Sequence, residues 1–321
     1  MNTSSNYAPT KIGVCVLTYN SSDIVLGALA ALEQTLAGTS HEIVVVDNNS
    51  QDDSAGLVER NYPSIQVVRN PRNSGYARGN NLGCAFLVQR GCNYLVVMNP
   101  DVTVRPNTIG RLVEVLGVVK DAGCAGGLAM INGRPAPNCF RSKPALSEKL
   151  WIYSSCRYFP VLGRILASYI AHLEKNHFRE LTRIQPVYTV SGACIAFPSD
   201  VFVGIKGFDE HTFLYQEELI ISEKLVQLGL KVYGVPDAVY DHLHGHSAHA
   251  TPLSSKRAFI ESERYLLKEY YQWNPMIRGL VLGFRWLDMK AYSLLMSVRR
   301  IYRAMSVANS QRSLPQGSVN N

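Results

Sequence analysis

Long apolar runs are missing from this sequence. No stretch reaches the ~20 residues needed to cross a bilayer, although 46% of the 321 residues are hydrophobic. Charge is sparse at 18%, a balance that suits a folded globular chain and excludes a disordered one. The seven cysteines are scattered, and no two stand as Cys-x-x-Cys. That odd, dispersed set excludes a disulfide framework and a zinc knuckle, and buried free thiols of a reducing compartment are expected. No internal repeat occurs. No glycine fingerprint follows the first apolar segment, where TYNSSD (18–23) stands instead, and there is no phosphate-loop lysine motif. A dehydrogenase-type dinucleotide site and a P-loop site therefore lack their usual signatures. The polar opening MNTSSNYAPTK has no apolar signal segment, so residues 1–10 are expected as a disordered lead and the protein in the cytoplasm.

Charge is balanced over most of the chain. Residues 1–255 hold 21 Lys and Arg against 21 Asp and Glu, and residues 256–321 hold 11 against 4, so the whole excess of +7 lies in the tail. A neutral body with a basic tail points to an anionic surface at one end, a membrane or another protein. No nucleic-acid recognition motif accompanies the charge, so nucleic acid is not expected as a partner.

What is present is an alternation. IGVCVLT (12–18), IVVVD (43–47), IQVV (65–68) and YLVVM (94–98) read as buried strands. Helices are expected over about 23–36, capped by Ser21 or Ser22, about 53–61, about 76–90 with Gly91 as its stop, and about 106–120. This predicts an α/β fold with a mainly parallel central sheet flanked by helices. Residues from about 125 to 185, with Pro135, Pro137, Pro144 and Pro160, are expected to be irregular loops and helices. VYTVSGACIAF (187–197) reads as one long strand, 216–229 as a helix and 231–235 as a last strand. A mainly helical tail starts near Ser254, and residues 310–321 are expected to be disordered.

The first four strands end in polar groups: Thr18 and Asn20, Asp47 and Asn48, Asn70, then Asn99 and Asp101. In a parallel sheet those ends share one edge, where open α/β sheets bind ligands. Asn and Asp are also ordinary turn residues, but four polar ends in succession favour a shared site.

These segments carry a resemblance. VLTYNSSD (16–23), VVVDNNSQDDS (44–54), NPRNSGYARGNNLG (70–83), NPDVTV (99–104), SGACIAFPSDVFVGIKGFDEHTFLYQEEL (191–219) and DHLHGHS (241–247) resemble glycosyltransferase family 2 in order and spacing, most nearly its rhamnosyltransferase-like branch. The resemblance covers about residues 11–250. It implies a nucleotide-diphospho-sugar transferase fold of the GT-A type and inversion at the anomeric carbon. It also implies a nucleotide-diphospho-sugar donor, a glycan or lipid-linked glycan acceptor, and a place in bacterial surface polysaccharide synthesis. Residues 11–120 would be the nucleotide-sugar-binding half of the catalytic domain, 121–250 the acceptor-side half, and 251–309 a helical C-terminal extension.

Chemistry and resemblance together nominate residues. Charge develops on a departing diphosphate, and a divalent cation, Mg²⁺ or Mn²⁺, neutralises it through oxygen ligands that include one or two carboxylates. Asp101 is the carboxylate candidate. Asn99 stands where many family members have an acid, and joins the donor-binding set. Four of the eight histidines crowd 242–249. His242 matches the family's His-x-x-Gly-x-Ser with Gly245 and Ser247, which makes it the next metal candidate, followed by His244. Asp47 is expected to hold the nucleotide, with Thr18, Asn20 and Asn49 lining the same pocket. Arg78 and Asn81 lie near a helix start that attracts phosphate, although Arg78 is equally able to pair with a surface acid. Inverting transfer needs a base. The family pattern points to Glu218, with Glu217 as the alternative or as an orienting group; two acids in a first helical turn also favour the helix dipole. Asp209 is expected as a turn residue.

In the tail, Ile277, Leu280, Val281, Phe284, Leu287, Ala291, Leu294, Leu295 and Val298 recur at helical spacing among Arg278, Arg285, Lys290, Arg299 and Arg300. Two expectations stand side by side: residues 276–303 form an interfacial helix on an anionic membrane, anchored by Trp286 and Tyr292, or they pack on their own domain or a second subunit. Two rival functions on the same kind of sheet are a catalytically silent glycan-binding or assembly protein and a sugar-1-phosphate nucleotidyltransferase. The latter would be expected to carry a glycine-rich basic loop where TYNSSD stands.

Overall fold

A computed structural model describes residues 10–136, 139–152, 160–243 and 252–312. The first half runs β1 (Ile12–Thr18), α1 (Val25–Leu36), β2 (His41–Asp47), α2 (Ser54–Asn61), β3 (Gln66–Arg69), α3 (Gly75–Gln89), β4 (Tyr94–Met98), β5 (Val102–Val104) and α4 (Thr108–Val118). Next come β6 (Ala122–Ile131), β7 (Arg134–Pro135), β8 (Phe140–Arg141), α5 (Leu146–Trp151), α6 (Pro160–His177), β9 (Gln185–Val187), β10 (Thr189–Val190) and β11 (Cys194–Pro198). The chain closes with α7 (Ser199–Gly204), α8 (Glu217–Gln227), β12 (Lys231–His242), α9 (Pro252–Tyr265), a π-helical turn (Leu266–Tyr270) and α10 (Pro275–Arg312).

The main sheet has the order β3-β2-β1-β4-β11-β6-β12-β5. Strands β3, β2, β1 and β4 are mutually parallel. Beyond them β11 enters antiparallel between β4 and β6, while β12 lies parallel to β6 and antiparallel to β5. The β-branched runs of β1 and β2 are buried at successive positions, not alternate ones, because helices cover both faces. Helix α3 rests on β1 and β2, and Gly79 and Gly83 bring its backbone against Leu17, Cys15 and Val46. Each buried Val, Leu or Ile contributes roughly 1.5–3 kcal/mol, and one continuous core joins the sheet to α1, α3 and α4. The six described cysteines are free and buried; Cys156 lies outside the described residues.

Gly91, at φ +73°, follows α3 as expected. Several other expectations need correction. Helix α1 has no serine cap: the Ser21 carbonyl accepts from Ile24 and Val25 N–H, while the Ser21 hydroxyl turns back to Tyr19. The stretch read as irregular from 125 contains most of β6, a central strand. Its Gly- and Ala-rich sequence lacks the usual strand residues because it is packed too closely for them. A Cβ on Gly127 would lie 2.1 Å from the Ala238 carbonyl oxygen. That carbonyl belongs to a bulge in β12 between Val235 and Val239, after which β12 runs on to His242, seven residues beyond the expected end. The supposed single strand over 187–197 is broken into β9, β10 and β11, with Ser191-Gly192-Ala193 turning between them. At the C-terminus α10 continues through Ser310–Arg312, where disorder was expected; residues 313–321 lie outside the described residues.

Helix α10 packs one face on its own chain: Val281, Arg285 and Met289 are buried against α9 and α5. Met276, Leu280, Leu287 and Leu294 are exposed on another face. Among the described residues no helix is long and apolar enough to cross a membrane.

Candidate active site

The parallel strands end together. Thr18 lies beside Asp47, and Asp47 beside Arg69. Backbone bonds extend the pairing: Asn48 N–H donates to Thr18 carbonyl and Asn70 N–H to Asp47 carbonyl, both at 2.8 Å. The Asp47 carboxylate is 5% exposed and accepts from Ser50 N–H at 3.3 and 3.4 Å. The Thr18 hydroxyl is buried without a hydrogen-bond partner among the described residues. Asn20 and Asn49 both have left-handed backbones, φ 52° and 66°. The Asn20 side chain accepts from Gln51 N–H at 2.7 Å, which ties the loop after β1 to the loop after β2, and Asn49 is exposed. Asn48, counted in the sequence only as a polar strand end, is buried as a hub: it donates to Asn73 and the Gly75 carbonyl and accepts from Asn70 and Ser74.

Arg78 and Asn81, expected at the donor, meet a different partner. Asn81 donates to the Phe208 carbonyl and Glu210 and accepts from Phe208 N–H. Arg78 lies 3.7 Å from Glu210, both about half exposed. These contacts fasten α3 to the loop after α7.

At the end of β4 the remaining nominees converge. Asn99 N–H donates to the Ala193 carbonyl at 2.9 Å, in the turn that breaks the supposed long strand. The neighbouring Gly192 N–H donates to Glu218 Oε1 at 3.1 Å. On the other side of Asn99, Asp101 Oδ1 stands 3.3 Å from His242 Nε2, with both side chains mostly buried. The Leu243 N–H donates to the Asp101 carbonyl and locks the end of β12 against the turn. Asp101, Asn99 and Glu218 are thus connected through two short backbone links, and His242 faces the first of them. A Cβ on Gly192 would lie 2.9 Å from Glu218 Oε1, so a larger residue there would displace the Glu218 carboxylate.

Helix α8 begins with the acid pair after two successive left-handed residues, Tyr215 and Gln216, both at φ 73°. Glu217 is 4% exposed, and its Oε1 has no hydrogen-bond partner among the described residues. Burial, then the charge of neighbouring Glu218, pushes the Glu217 carboxyl up to about 8, so it is protonated at neutral pH. Glu218 keeps a partly open side chain, with Arg141 at 3.8 Å, and its carbonyl accepts from Thr189 and Ser222. Tyr76 donates to the Gly192 carbonyl at 2.7 Å. Burial, then the Glu218 charge, pushes its phenol well above the usual range. Sequence reading missed Arg141 and Tyr76. Only Arg141's place among the basic residues of a segment without helical or strand periodicity hinted at it.

The donor set at Asp101 and His242 fits a divalent cation: a buried carboxylate oxygen and an imidazole nitrogen face each other, and Mn²⁺ and Mg²⁺ accept carboxylate with substrate phosphate, Mn²⁺ also imidazole. Among the described residues no cluster of three or more His, Cys, Asp and Glu exists, so further ligands would come from a donor diphosphate, water or the histidines beyond Leu243. His244, the second histidine nominee, lies with His246 and His249 outside the described residues.

The model of the family described as Glycosyl transferase family 2 matches residues 13–154. Residues 13–154 thus form a glycosyltransferase family 2 domain. The matched span of this glycosyltransferase includes Thr18, Asp47, Asn99 and Asp101, whereas Glu217, Glu218 and His242 lie beyond it. The N-acetylglucosaminyl-diphospho-decaprenol L-rhamnosyltransferase of Mycobacterium tuberculosis is 26% identical over 253 residues, 75% of this chain and 80% of that one. An O-antigen chain rhamnosyltransferase of Salmonella typhimurium is 24% identical over 240 residues, 74% of this chain and 68% of that one. Among solved structures, GalNAc-T7 with UDP, GalNAc and Mn²⁺ superposes with a TM-score of 0.57 at 16% identity, covering 82% of this chain but only 49% of GalNAc-T7. S. aureus TarS in complex with UDP-GlcNAc gives 0.51 at 17% identity, with 85% and 70% covered. The glycosyltransferase therefore has the GT-A fold expected from its motifs.

Proposed function

We propose that this glycosyltransferase moves a deoxyhexose, rhamnose first among candidates, from a nucleotide-diphospho donor to a hydroxyl of a lipid-linked glycan, with inversion. The rhamnosyltransferase relatives and their length coverage support the sugar and the acceptor class. One observation carries the mechanism: the path Glu218–Gly192–Ala193–Asn99, with the Asp101–His242 pair beside it, lies at the end of β4, next to the strand ends bearing Thr18 and Asp47.

The contacts support the following roles. Asp47 and Thr18 hold the nucleoside. Asp101 and His242 would hold a divalent cation, which would supply neutralising charge to the departing diphosphate. Glu218, oriented by Gly192 N–H and Arg141, takes the proton of the acceptor hydroxyl. The acceptor oxygen bonds to the anomeric carbon from the opposite face while the bond to the diphosphate breaks, and the nucleoside diphosphate leaves with the electron pair. Protonated Glu217 beside Glu218 adds no second negative charge to the acceptor side. The exposed apolar residues of α10 and the basic tail support seating on an anionic membrane, where a lipid-linked acceptor resides.

The test is transfer and release of free nucleoside diphosphate from a panel of UDP-, dTDP- and GDP-sugars, L-rhamnose among them, with an N-acetylglucosaminyl-diphospho-lipid acceptor. Glu218→Gln is expected to lower kcat by about 10²–10⁴-fold. Full transfer by that variant would remove Glu218 as the base.

A further inference from the structure

The C-terminal extension reaches the acid pair through a buried ion cluster that the transfer chemistry does not itself use. Lys149 on α5, Glu263 on α9 and Arg285 on α10 are each no more than 3% exposed. Lys149 Nζ lies 3.1 Å from Glu263 Oε1, and Arg285 Nε lies 2.8 Å from Glu263 Oε2. Arg285 also donates to the Lys149 carbonyl. Two cations share this carboxylate away from water, an arrangement that is costly unless further acceptors surround it. One acceptor is Gln216 Oε1, 3.5 Å from Lys149 Nζ. Gln216 is 5% exposed and immediately precedes Glu217 and Glu218. Its carbonyl receives the first bond of α8, from Ile220 N–H at 3.0 Å.

The turn held in this way does not hold itself. Tyr215 and Gln216 are consecutive non-glycine residues in the left-handed region, a conformation that survives only where surrounding structure enforces it. The same extension supplies the other fastenings. Ser262, adjacent to Glu263, donates to the Leu214 carbonyl at 2.9 Å. Tyr265 and Tyr270 both donate to Asp209, at the start of the segment. That segment, from Asp209 to Gln216, is thus gripped along its length by α9 and the π-helical turn.

We propose that the C-terminal extension, acting with Lys149 of α5, is a positioning element of the transfer site: Glu263 and Arg285 fix Lys149, and Lys149 and Ser262 hold the Tyr215–Gln216 turn so that Glu217 and Glu218 meet the Gly192 turn. The proposal rests on the reading of Glu218 as base. Lys149, Glu263 and Arg285 act through Gln216 and touch no reacting atom.

Two variants of the full chain test it. Lys149→Met removes the contact to Gln216 and leaves Glu263 with Arg285 as a matched pair. Gln216→Gly removes the same contact in a residue that accepts φ 73° without strain, so this variant is expected to fold at least as well as the parent even if Lys149→Met does not. In both, the Ile220 amide is expected to exchange hydrogen about tenfold faster, with amides of β1 and β2 unchanged. In the transfer assay kcat is expected to fall about 10- to 100-fold with donor KM unchanged. A folded Gln216→Gly with parental exchange at Ile220, or with kcat within twofold of the parent, overturns the proposal. A loss confined to melting temperature also overturns it, since that is the mark of a merely structural cluster. Glu218→Gln, run alongside, reads the base separately: full transfer there defeats the base assignment, while parental kcat in Gln216→Gly with Glu218→Gln inactive defeats the tether alone.

Discussion

Replacing Glu217 by Gln separates the two acids of α8 by a stability measurement. In the folded chain burial and the Glu218 charge hold the Glu217 carboxyl at about 8, against an ordinary value of 4.5 in the unfolded chain. Below pH 4.5 the side chain is neutral in both states, and Gln is a close isostere of neutral Glu. Between pH 4.5 and 8 the unfolded chain releases the proton while the folded chain keeps it. The raised value therefore contributes stability that is fully present below 4.5 and is lost as pH rises through 8. Over that window of about 3.5 pH units, at about 1.36 kcal/mol each, the variant should gain about 5 kcal/mol on the parent, then run parallel to it above pH 8. Denaturant unfolding of both proteins at pH 5, 6.5 and 8 reads this directly as a widening gap between midpoints. Because neutral Gln replaces neutral Glu, transfer at pH 7 should persist within a few-fold, unlike Glu218→Gln. A gap that stays flat with pH, or a variant less stable than the parent at pH 8, refutes the buried protonated acid. Loss of transfer equal to that of Glu218→Gln would make Glu217 a participant in the proton transfer.

Three further outcomes are expected. Asp101→Asn should abolish stimulation by Mn²⁺ or Mg²⁺ and lower nucleoside diphosphate release by about 100-fold; a metal response identical to the parent's would remove Asp101 from the cation site. Gly127→Ala should cost about 3 kcal/mol or more by denaturant unfolding, because the added Cβ meets the Ala238 carbonyl oxygen at 2.1 Å; a neutral result would mean that the β12 bulge yields freely. Leu287→Gln with Leu294→Gln, both 68% exposed, should reduce sedimentation with anionic vesicles by at least about threefold with melting temperature unchanged; undiminished sedimentation would assign the apolar face of α10 another use.

Much of the polar sheet edge was legible because it is local. Apolar runs of strand length followed by polar groups place Thr18, Asp47 and Asn99 at one edge once the strands are parallel, and parallel strands follow from the helices between them. The chain's middle was not legible. Strand β6 is built from Ala and Gly at a crowded centre, where close neighbours forbid the branched residues that mark a strand. The 187–197 run is apolar throughout, yet Gly192 must turn so that its N–H reaches Glu218. For Arg78 the sequence left phosphate and a surface acid both open; the partners seen here for Arg78 and Asn81, Glu210 and Phe208, lie about 130 residues away in sequence and could not be read from spacing.

By itself the sequence determined the α/β alternation, the polar edge, the family and the acids near α8, since each is a pattern of neighbours along the chain. Tertiary structure alone decided which acid is sealed and protonated, that Arg141 stands by Glu218, and that Arg285, in a tail for which membrane seating and packing on its own domain were both expected, is buried against Glu263. The reason is desolvation and proximity: a side chain's charge state and partners depend on what packs over it from remote segments, and composition or periodicity does not encode that.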